Sequence, residues 1–356
     1  MKPAQITHIT IAKGIGILLV AFGHNPLVGL PSSWLFTFVY AFHMPLFFFL
    51  SGIFFRPEVD FWRLFKQKSA ALLKPYITTL VLLSLFFIFI KKIPAEPYFT
   101  GMVYGIGSSI AWVPLWFLPH LWLVFLCVWG IHRALATTIK KIPVLWLLLL
   151  LWLTFGYFLA RYFQQPILSI TGFLPNFELN RPHIGLPFTL DMLPLTSFYF
   201  ILGFALRNYV IMLPIKPPLL PWLTLSSFGS LGLLTYLVPA TLDFDMRKYD
   251  SLWLSTSYAL LGIFATLSLA KLCEKQLQIR RILTYLGSAS LIIFIFHGYI
   301  QDKVIRTLNH PYGNTFAAIV AYFSSIVISL LLWEIIRRQR CLALLWLPRT
   351  NHKQTT

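Results

Sequence analysis

Charged residues are scarce in this sequence, and so are cysteines. Only 11% of the 356 residues are Asp, Glu, Lys or Arg, whereas 58% are hydrophobic, and a soluble domain normally carries about 25% charged residues. Three cysteines are too few for a disulfide scaffold, and the high hydrophobic content excludes a disordered chain. So few charges would not cover the surface of a soluble protein of this size. The composition therefore predicts an integral membrane protein.

The apolar runs are continuous, which indicates helices, because the strands of a membrane barrel would alternate apolar and polar residues. Ten stretches are long enough to cross a hydrocarbon core of about 30 Å. We predict spans near residues 9–29, 34–55, 70–90, 112–131, 144–160, 186–206, 220–238, 252–270, 282–301 and 315–336. The expected fold is an all-α membrane bundle of about ten helices, a single domain over residues 1–356 without a fused soluble esterase-like domain.

Basic residues are distributed unevenly between the two sides of these predicted spans. The N-terminus, the C-terminus and the loops on the same side hold 20 of the 29 Lys and Arg residues, and the opposite loops hold 8. Basic loops are retained in the cytoplasm, so both termini are predicted to be cytoplasmic. The formal net charge of +18 reflects this bias, and no nucleic acid partner is expected.

Four histidines fall within the predicted spans, where polar groups are costly and often functional. With a rise of 1.5 Å per residue, His24, His43, His120 and His297 all come out in the outer half of the bilayer, and Asp191 lies at a similar depth. A single intramembrane histidine could equally well hydrogen-bond a neighbouring helix. Four of them at one depth favour a shared polar chamber.

Two further features of the first two spans bear on this chamber. Lys13 precedes His24 by 11 residues, or three helical turns, so that both side chains lie on one face of the first span. Lys13 either extends to the inner headgroups or has a functional role on the face that it shares with His24. The glycines of the same span would allow close helix packing. On the second span, Pro45 lacks a backbone donor and should kink the helix beside His43.

Four stretches of the sequence carry a resemblance to one family. They run from Ala12 to Ile17 and on to Gly23-His24, from Phe42 to Phe48 and on to Ser51-Gly52, from Leu115 to Leu118, and from Leu286 to Leu291 and on to Phe296-His297. With them the chain resembles the membrane-bound acyltransferase 3 family, bacterial ten-helix O-acyltransferases of surface glycans, in the branch of fucose-type sugar O-acetylases. Two positions depart from the pattern: Lys13 stands where many relatives have arginine, and Thr10 where aspartate is frequent.

The resemblance implies a multi-pass protein of the bacterial inner membrane that transfers acetyl groups. The donor would be cytoplasmic acetyl-CoA, and the acceptor a sugar hydroxyl of a surface glycan, such as lipopolysaccharide O-antigen, or of its lipid-linked precursor. His24 and Lys13 are the expected catalytic residues, with His24 as general base or transient acyl carrier and Lys13 on the donor side. No metal is expected, and membrane lipids are the other expected partners.

The resemblance and the predicted depths also give a set of substrate-binding residues. These are His43, Ser51, Trp116, His120, Arg181, Asp191 and His297. An oxyanion needs a stabilising donor, for which His43, Ser51 and His297 are candidates. The basic side chains expected to meet the phosphates of CoA are Arg63, Lys66, Lys68, Lys74, Lys140 and Lys141.

A transporter or flippase of a lipid-linked sugar is the alternative function. A transporter typically has broken helices or repeated halves, and no internal repeat is present in the sequence. A proton-coupled transporter would need several buried carboxylates, whereas only Asp191 and Glu334 fall in predicted spans. A scaffold subunit would leave the intramembrane histidines without a role.

Overall fold

The computed structural model of the chain describes residues 7–28, 33–135, 142–164, 185–312 and 314–348. Within them the structure is almost entirely helical, as the sequence predicts. The α-helices are α1 (Thr7–Gly23), α2 (Trp34–Tyr40), α3 (His43–Ile53), α4 (Phe61–Lys68), α5 (Lys74–Ser84), α6 (Ala95–Tyr104), α7 (Phe117–Ala134), α8 (Ile142–Phe163), α9 (Leu193–Ala205), α10 (Arg207–Met212), α11 (Leu220–Leu237), α12 (Leu252–Cys273), α13 (Leu277–Tyr312), α14 (Asn314–Arg338) and α15 (Arg340–Trp346).

Shorter elements connect these helices. The 3-10 helices are Pro26–Val28, Val113–Trp116 and Pro187–Met192, and the π-helical turns are Ser69–Leu73 and Leu85–Ile90. In the described part of the chain, the one sheet is an antiparallel pair of two-residue strands, β1 (Leu242–Asp243) and β2 (Lys248–Tyr249).

Eight helical segments of the described chain are long and apolar enough to cross a membrane. They are Trp34–Ile53, Phe61–Ile90, Val113–Ala134, Val144–Phe163, Pro187–Ala205, Leu252–Cys273, Leu277–Leu308 and Asn314–Arg338. The chain is therefore a multi-pass membrane protein. At the first and seventh predicted spans lie α1, which has 17 residues, and α11, which has 18; neither is among the eight, so the number of ten spans stays a prediction.

The chain divides into two compact units. The first contains Met1–Phe54, Tyr199–Phe244 and Lys248–Trp333, and the second contains Phe55–Phe198, Asp245–Arg247 and Glu334–Thr356. The first unit thus holds α1 to α3 and α10 to α13, with most of α14, and the second holds α4 to α8 and α15.

Within the first unit, helix α1 packs against α2, α3, α12 and α13 and crosses α13 in direct backbone contact. A Cβ atom on Gly14 would lie 2.2 Å from the carbonyl oxygen of Leu283, and one on Gly287 would lie 2.2 Å from that of Thr10. Glycine at both positions removes this obstacle, as expected for tightly packed membrane helices. Because Gly14 meets Leu283 and His24 meets His297, the two helices run parallel.

The second predicted span is broken beside His43, which confirms the kink predicted from Pro45. Helix α2 ends at Tyr40 and α3 begins at His43, and Phe42 between them has φ −141° and ψ −15°. Pro45 lies in the first turn of α3, where a backbone N–H would have no helical acceptor. The break makes His43 the first residue of a new helix.

In the second unit, the short helix α15 docks against α5. The indole Nε1 of Trp346 donates to Thr79 Oγ1 at 3.0 Å. The ammonium of Lys74 donates to the carbonyl oxygens of Leu344 and Leu347, at 2.8 and 2.5 Å. A cation at the last carbonyls of a helix satisfies acceptors that have no helical partner.

Candidate active site

Lys13 on α1 and His24 directly after it stand out because their side chains are exposed while the helix is packed; the His24 backbone N–H still bonds the Val20 carbonyl oxygen in the helical pattern. Between Thr7 and His24, these are the two exposed residues, and most of the others are buried. Both are nevertheless surrounded by protein atoms. They therefore line open space beside α1 instead of filling its packed faces, at two points roughly 16 Å apart along the axis.

Lys13 has no partner within the described part of the chain, where it forms neither an ion pair nor a hydrogen bond. Three residues earlier stands Thr10, whose carbonyl oxygen faces Gly287 on α13. Among the described residues, no carboxylate pairs with Lys13 in place of the aspartate that the resemblance leads one to expect at position 10. The Lys13 ammonium is therefore a cation available to a ligand.

His24 lies next to two other imidazoles, and we call His24, His43 and His297 the imidazole cluster. The ring centroids of His24 and His297 are 5.2 Å apart, with 47° between the ring planes. His43 and His297 are both close enough to His24 to interact with it electrostatically. The ring of Tyr40 packs edge-on against His43 at 4.7 Å. The cluster thus joins α3 and α13, which carry His43 and His297, to the end of α1, which His24 directly follows.

Backbone carbonyls fix the tautomers of two members of the cluster. His43 Nδ1 donates to the Val39 carbonyl oxygen at 3.0 Å. His297 Nδ1 donates to the carbonyl oxygens of Ile293 and Phe294, both at 2.9 Å. Because a carbonyl can only accept, the proton of each neutral ring lies on Nδ1, and Nε2 keeps its lone pair.

An amide pair joins α13 to the chain directly after α1. Asn25 Nδ2 donates to Gln301 Oε1 at 2.7 Å and to the Ala318 carbonyl oxygen at 2.9 Å, while Gln301 Nε2 donates to the Ala21 carbonyl oxygen at 2.8 Å. Asn25 and Gln301 are 3% and 1% exposed, respectively. Asn25 follows His24 in sequence, and Gln301 lies one turn beyond His297, so the pair clamps the two helices beside the imidazole cluster.

The other predicted residue of the first unit is Ser51, on α3. Its hydroxyl donates to the Phe47 carbonyl oxygen one turn earlier, at 2.7 Å. The proton of this hydroxyl is therefore engaged within its own helix, and its oxygen lone pairs are the atoms left for other contacts.

Two more predicted residues, His120 and Trp116, lie together in the second unit. Their ring centroids are 5.8 Å apart. His120 Nδ1 donates to the Phe188 carbonyl oxygen at 3.0 Å, and Nε2 accepts from Thr196 Oγ1 at 2.9 Å. Phe188 and Thr189 have φ values of 52° and 60°, a left-handed conformation that is uncommon outside glycine. His120 thus holds a strained turn with both ring nitrogens engaged.

Asp191, predicted to face a substrate, is fully buried and paired within the protein. Arg247 Nε donates to Oδ2 at 2.9 Å, Arg247 Nη2 to Oδ1 at 3.4 Å, and the Leu186 backbone N–H to Oδ1 at 2.7 Å. Arg247 itself is 1% exposed. A buried carboxylate that is ion-paired and accepts three hydrogen bonds has a structural role without any substrate.

The same buried group includes Gly185 and Tyr104. A Cβ on Gly185 would lie 2.3 Å from Arg247 Nη2, and its φ of +96° favours glycine as well. Tyr104 donates its hydroxyl proton to the Gly185 carbonyl oxygen at 2.7 Å. Burial raises the pKa of this hydroxyl above its ordinary value, so that it remains a donor.

Comparison with known proteins gives one result that decides the class of this site. The acyltransferase 3 family, an acyltransferase domain, matches residues 6–334, nearly the whole chain. The chain belongs to this family. No curated protein and no solved structure gave a match. Membership implies a membrane acyltransferase activity, and the resemblance noted in the sequence is confirmed.

In this acyltransferase, the residues predicted from sequence divide between the two units. The first unit brings together His24, His43 and His297 and also contains Lys13 on α1 and Ser51 on α3. The second unit holds Trp116, His120 and Asp191. Arg181, Lys140 and Lys141 lie outside the described residues.

Sequence reasoning missed Asn25, Gln301 and Arg247 in this acyltransferase. Asn25 and Gln301 lie at the ends of predicted spans, where polar residues are common and give no signal by themselves. Arg247 lies in the short turn between β1 and β2 and meets Asp191 across 56 positions of sequence. Among the described residues, no group of three or more His, Cys, Asp or Glu is arranged to hold a metal ion.

Proposed function

We propose that this acyltransferase moves an acetyl group from cytoplasmic acetyl-CoA to a sugar hydroxyl of a bacterial surface glycan. The acceptor is a glycan such as lipopolysaccharide O-antigen or its lipid-linked precursor, and the membrane is the bacterial inner membrane. One observation carries the proposal: Lys13 on the packed helix α1 and His24 directly after that helix are exposed, and His24 lies within an imidazole cluster.

Lys13 serves the donor in this proposal. CoA carries phosphate groups, and the Lys13 ammonium has no protein partner among the described residues that would compete for it. The axial distance of roughly 16 Å between Lys13 and His24 suits a donor whose phosphates and thioester are separated by a long pantetheine arm.

The other basic residues expected at the phosphates differ in availability. Arg63 and Lys66 are exposed, so both can meet an anion. The Lys74 ammonium is engaged by two carbonyls of α15, and Lys68 lies over the ring of Phe125 at 3.6 Å. The donor proposal therefore rests on Lys13 alone, and the role of Arg63 and Lys66 stays a proposal from the sequence.

His24 carries out the transfer in one of two ways. As a general base, it takes the proton of the sugar hydroxyl while the hydroxyl oxygen attacks the thioester carbonyl; the C–S bond breaks, and His24 returns the proton to the leaving sulfur. As an acyl carrier, the unprotonated imidazole nitrogen attacks the thioester carbonyl, the C–S bond breaks, and CoA leaves as a thiolate. The sugar oxygen then attacks the acetyl-imidazolium, the C–N bond breaks, and the hydroxyl proton passes to the thiolate. Both routes need a neutral imidazole with a free lone pair.

The imidazole cluster contributes hydrogen-bond acceptors to this site. The Nδ1 protons of His43 and His297 are donated to carbonyls, so the Nε2 atom of each neutral ring accepts instead of donating. In this state Nε2 of each ring suits a hydroxyl or N–H proton. Trp116 and Arg181 stay proposed acceptor-side residues from the sequence, whereas both carboxylate oxygens of Asp191 are engaged by Arg247 and Leu186.

One observation bears on the transporter alternative. The break between α2 and α3 is of the kind that transporters use near their substrate sites. The match to an acyltransferase family over residues 6–334 outweighs it, since a kink beside His43 serves equally well to orient a catalytic side chain.

The purified protein in lipid nanodiscs, given radiolabelled acetyl-CoA and a lipid-linked oligosaccharide, tests the proposal. We expect label to appear in the glycan and free CoA to form in equal amount. A transporter would leave the thioester intact. Absence of both label transfer and thioester cleavage, from protein that is monodisperse and binds acetyl-CoA, would contradict the proposal.

A further inference from the structure

One ring nitrogen of the imidazole cluster has an unmet hydrogen-bonding capacity. His297 is fully buried, and its Nε2 has no hydrogen-bond partner among the described residues. The Nδ1 proton is shared by two carbonyls of the same helix, so this Nε2 is a pure acceptor. A buried polar atom without a partner is costly, and its presence here calls for a donor that the site supplies during function.

The imidazole of His24 is a candidate donor. The two ring centroids are 5.2 Å apart. An N–H···N bond of about 2.9 Å between two imidazole edges places the ring centroids roughly 5 Å apart. The separation is therefore right for such a bond, and a change in the tilt of the exposed His24 ring would complete it. Hydrogen bonds of catalytic groups often tighten in this way once substrate is bound.

The surrounding structure holds this separation in place. The Asn25–Gln301 amide pair ties the end of α1 to α13 immediately beside both histidines. Three turns away, Gly14 and Gly287 allow the two backbones to touch. The two helices are thus fixed at both ends of the segment that carries Lys13 and His24, so the distance between His24 and His297 is built into the fold.

We propose that His297 is a positioning residue for the transfer: its Nε2 accepts a hydrogen bond from the N–H of His24 and thereby directs the other nitrogen of His24, with its lone pair, to the substrates. The proposal rests on the proposed function of His24. When His24 takes the hydroxyl proton, it becomes an imidazolium whose original N–H still donates to His297. The proton taken from the hydroxyl then passes to the leaving sulfur. His297 itself neither gains a proton nor forms a covalent bond.

Two substitutions of His297 test the roles of its two ring nitrogens separately. In His297→Asn, the side-chain amide still donates to the carbonyls of Ile293 and Phe294 but does not reach His24. In His297→Gln, the longer side chain places an amide oxygen near the position of Nε2. We expect His297→Asn to lower kcat about 10- to 100-fold, the range seen when the orienting partner of a metal-bound histidine is removed, with both KM values unchanged. We expect His297→Gln to restore most of the rate.

Combining these variants with His24→Gln tests whether His297 acts through His24. If it does, His297→Asn has no further effect on the residual rate of the His24→Gln enzyme, because residues acting as one unit are strongly non-additive. Ser268→Ala is the matched control. Like His297 Nε2, the Ser268 hydroxyl oxygen is a buried polar atom of the first unit without a partner in the described residues, and we expect its removal to leave kcat unchanged.

The possible results distinguish the two proposals. A wild-type rate for His297→Asn, or rate losses that multiply in the double variant, would overturn the positioning role while leaving the proposed function intact. A wild-type rate for His24→Gln would overturn the catalytic role of His24, and the positioning role with it. If His297→Asn is poorly inserted into membranes, loss of activity in inserted His297→Gln protein equally contradicts the proposal, since that variant retains the acceptor.

Discussion

Lys13 carries a positive charge that no described side chain neutralises. We predict that Lys13→Ala mainly raises the KM for acetyl-CoA and makes the reaction less sensitive to salt, because ions screen the attraction between an ammonium and phosphates. Steady-state kinetics with each substrate varied in turn, at low and high ionic strength, measures both effects.

The control for this prediction keeps the charge. Lys13→Arg should retain donor binding if charge alone matters, since arginine remains cationic but presents a planar, larger group. An unchanged donor KM in Lys13→Ala together with a raised acceptor KM would show that Lys13 serves the glycan instead.

The Asn25–Gln301 pair gives a second prediction at the residue scale. Gln301→Leu leaves Asn25 Nδ2 and the Ala21 carbonyl each without one partner, and an unsatisfied buried polar group costs about 1–3 kcal/mol. We expect a lower melting temperature and a lower kcat, since the spacing between His24 and His297 is loosened. Ser329→Ala, which removes a buried hydroxyl without a partner in the described residues, should change neither; a normal kcat in Gln301→Leu would show that the pair does not position His24.

At this scale the sequence identified candidate side chains but not their hydrogen-bond and ion-pair partners. His24, His43 and His297 were recognisable because an imidazole in an apolar span is rare. That His120 is engaged at both ring nitrogens, and that Asp191 is paired with Arg247, depends on contacts 56 to 76 positions apart in sequence. Such contacts leave no local pattern, so they could be learned from the structure alone.

Among the helices, the contact of α1 with α13 is the one that the site depends on most. We predict that Gly14→Ala separates the two helices, because the new Cβ would lie 2.2 Å from the Leu283 carbonyl oxygen; overpacking of this kind costs about 1–3 kcal/mol. The melting temperature and kcat should both fall.

A matched substitution is available on α11. A Cβ on Gly229 would have no atom within 4 Å, so Gly229→Ala should be neutral or stabilising by up to about 1 kcal/mol through helix propensity. Equal melting temperatures and rates for the two alanine variants would contradict the assigned packing of α1 on α13.

Helix positions were predicted well, and their ends were not. The break before His43 followed from Pro45, and it was confirmed. Helix α13, however, runs from Leu277 to Tyr312, well beyond the predicted 282–301. Hydropathy detects apolar residues, whereas a helix continues through polar ones, here with the ion pair between Asp302 and Arg306 supporting the added turns.

For the whole molecule, the direction of the spans is consistent within the first unit. Helix α1 runs parallel to α13, and Gly16 faces Leu46 whereas Gly23 faces Tyr40, so α1 runs antiparallel to the α2–α3 segment. Consecutive spans cross the membrane in opposite directions. The first and ninth predicted spans should therefore be parallel, and the second antiparallel to both, as these helices are. Which side of the membrane the termini face is predicted from the distribution of basic residues alone.

That orientation is the fourth prediction. With 20 basic residues on the side of the termini against 8 on the other, both termini should be cytoplasmic. A C-terminal green fluorescent protein fusion should fluoresce, and the matched alkaline phosphatase fusion should be inactive. An active phosphatase fusion would show that the C-terminus is outside the cytoplasm. Lys13 would then lie on the side of the membrane away from cytoplasmic acetyl-CoA.

The central claim is that His24 performs the acyl transfer, and the rate of the His24→Gln enzyme tests it most directly. Glutamine keeps hydrogen-bonding capacity but cannot accept a proton usefully near pH 7. With equal amounts of wild-type and variant protein in nanodiscs, and with radiolabelled acetyl-CoA, we predict a kcat at least about 100-fold lower for the variant. Near-normal transfer by His24→Gln would contradict the claim.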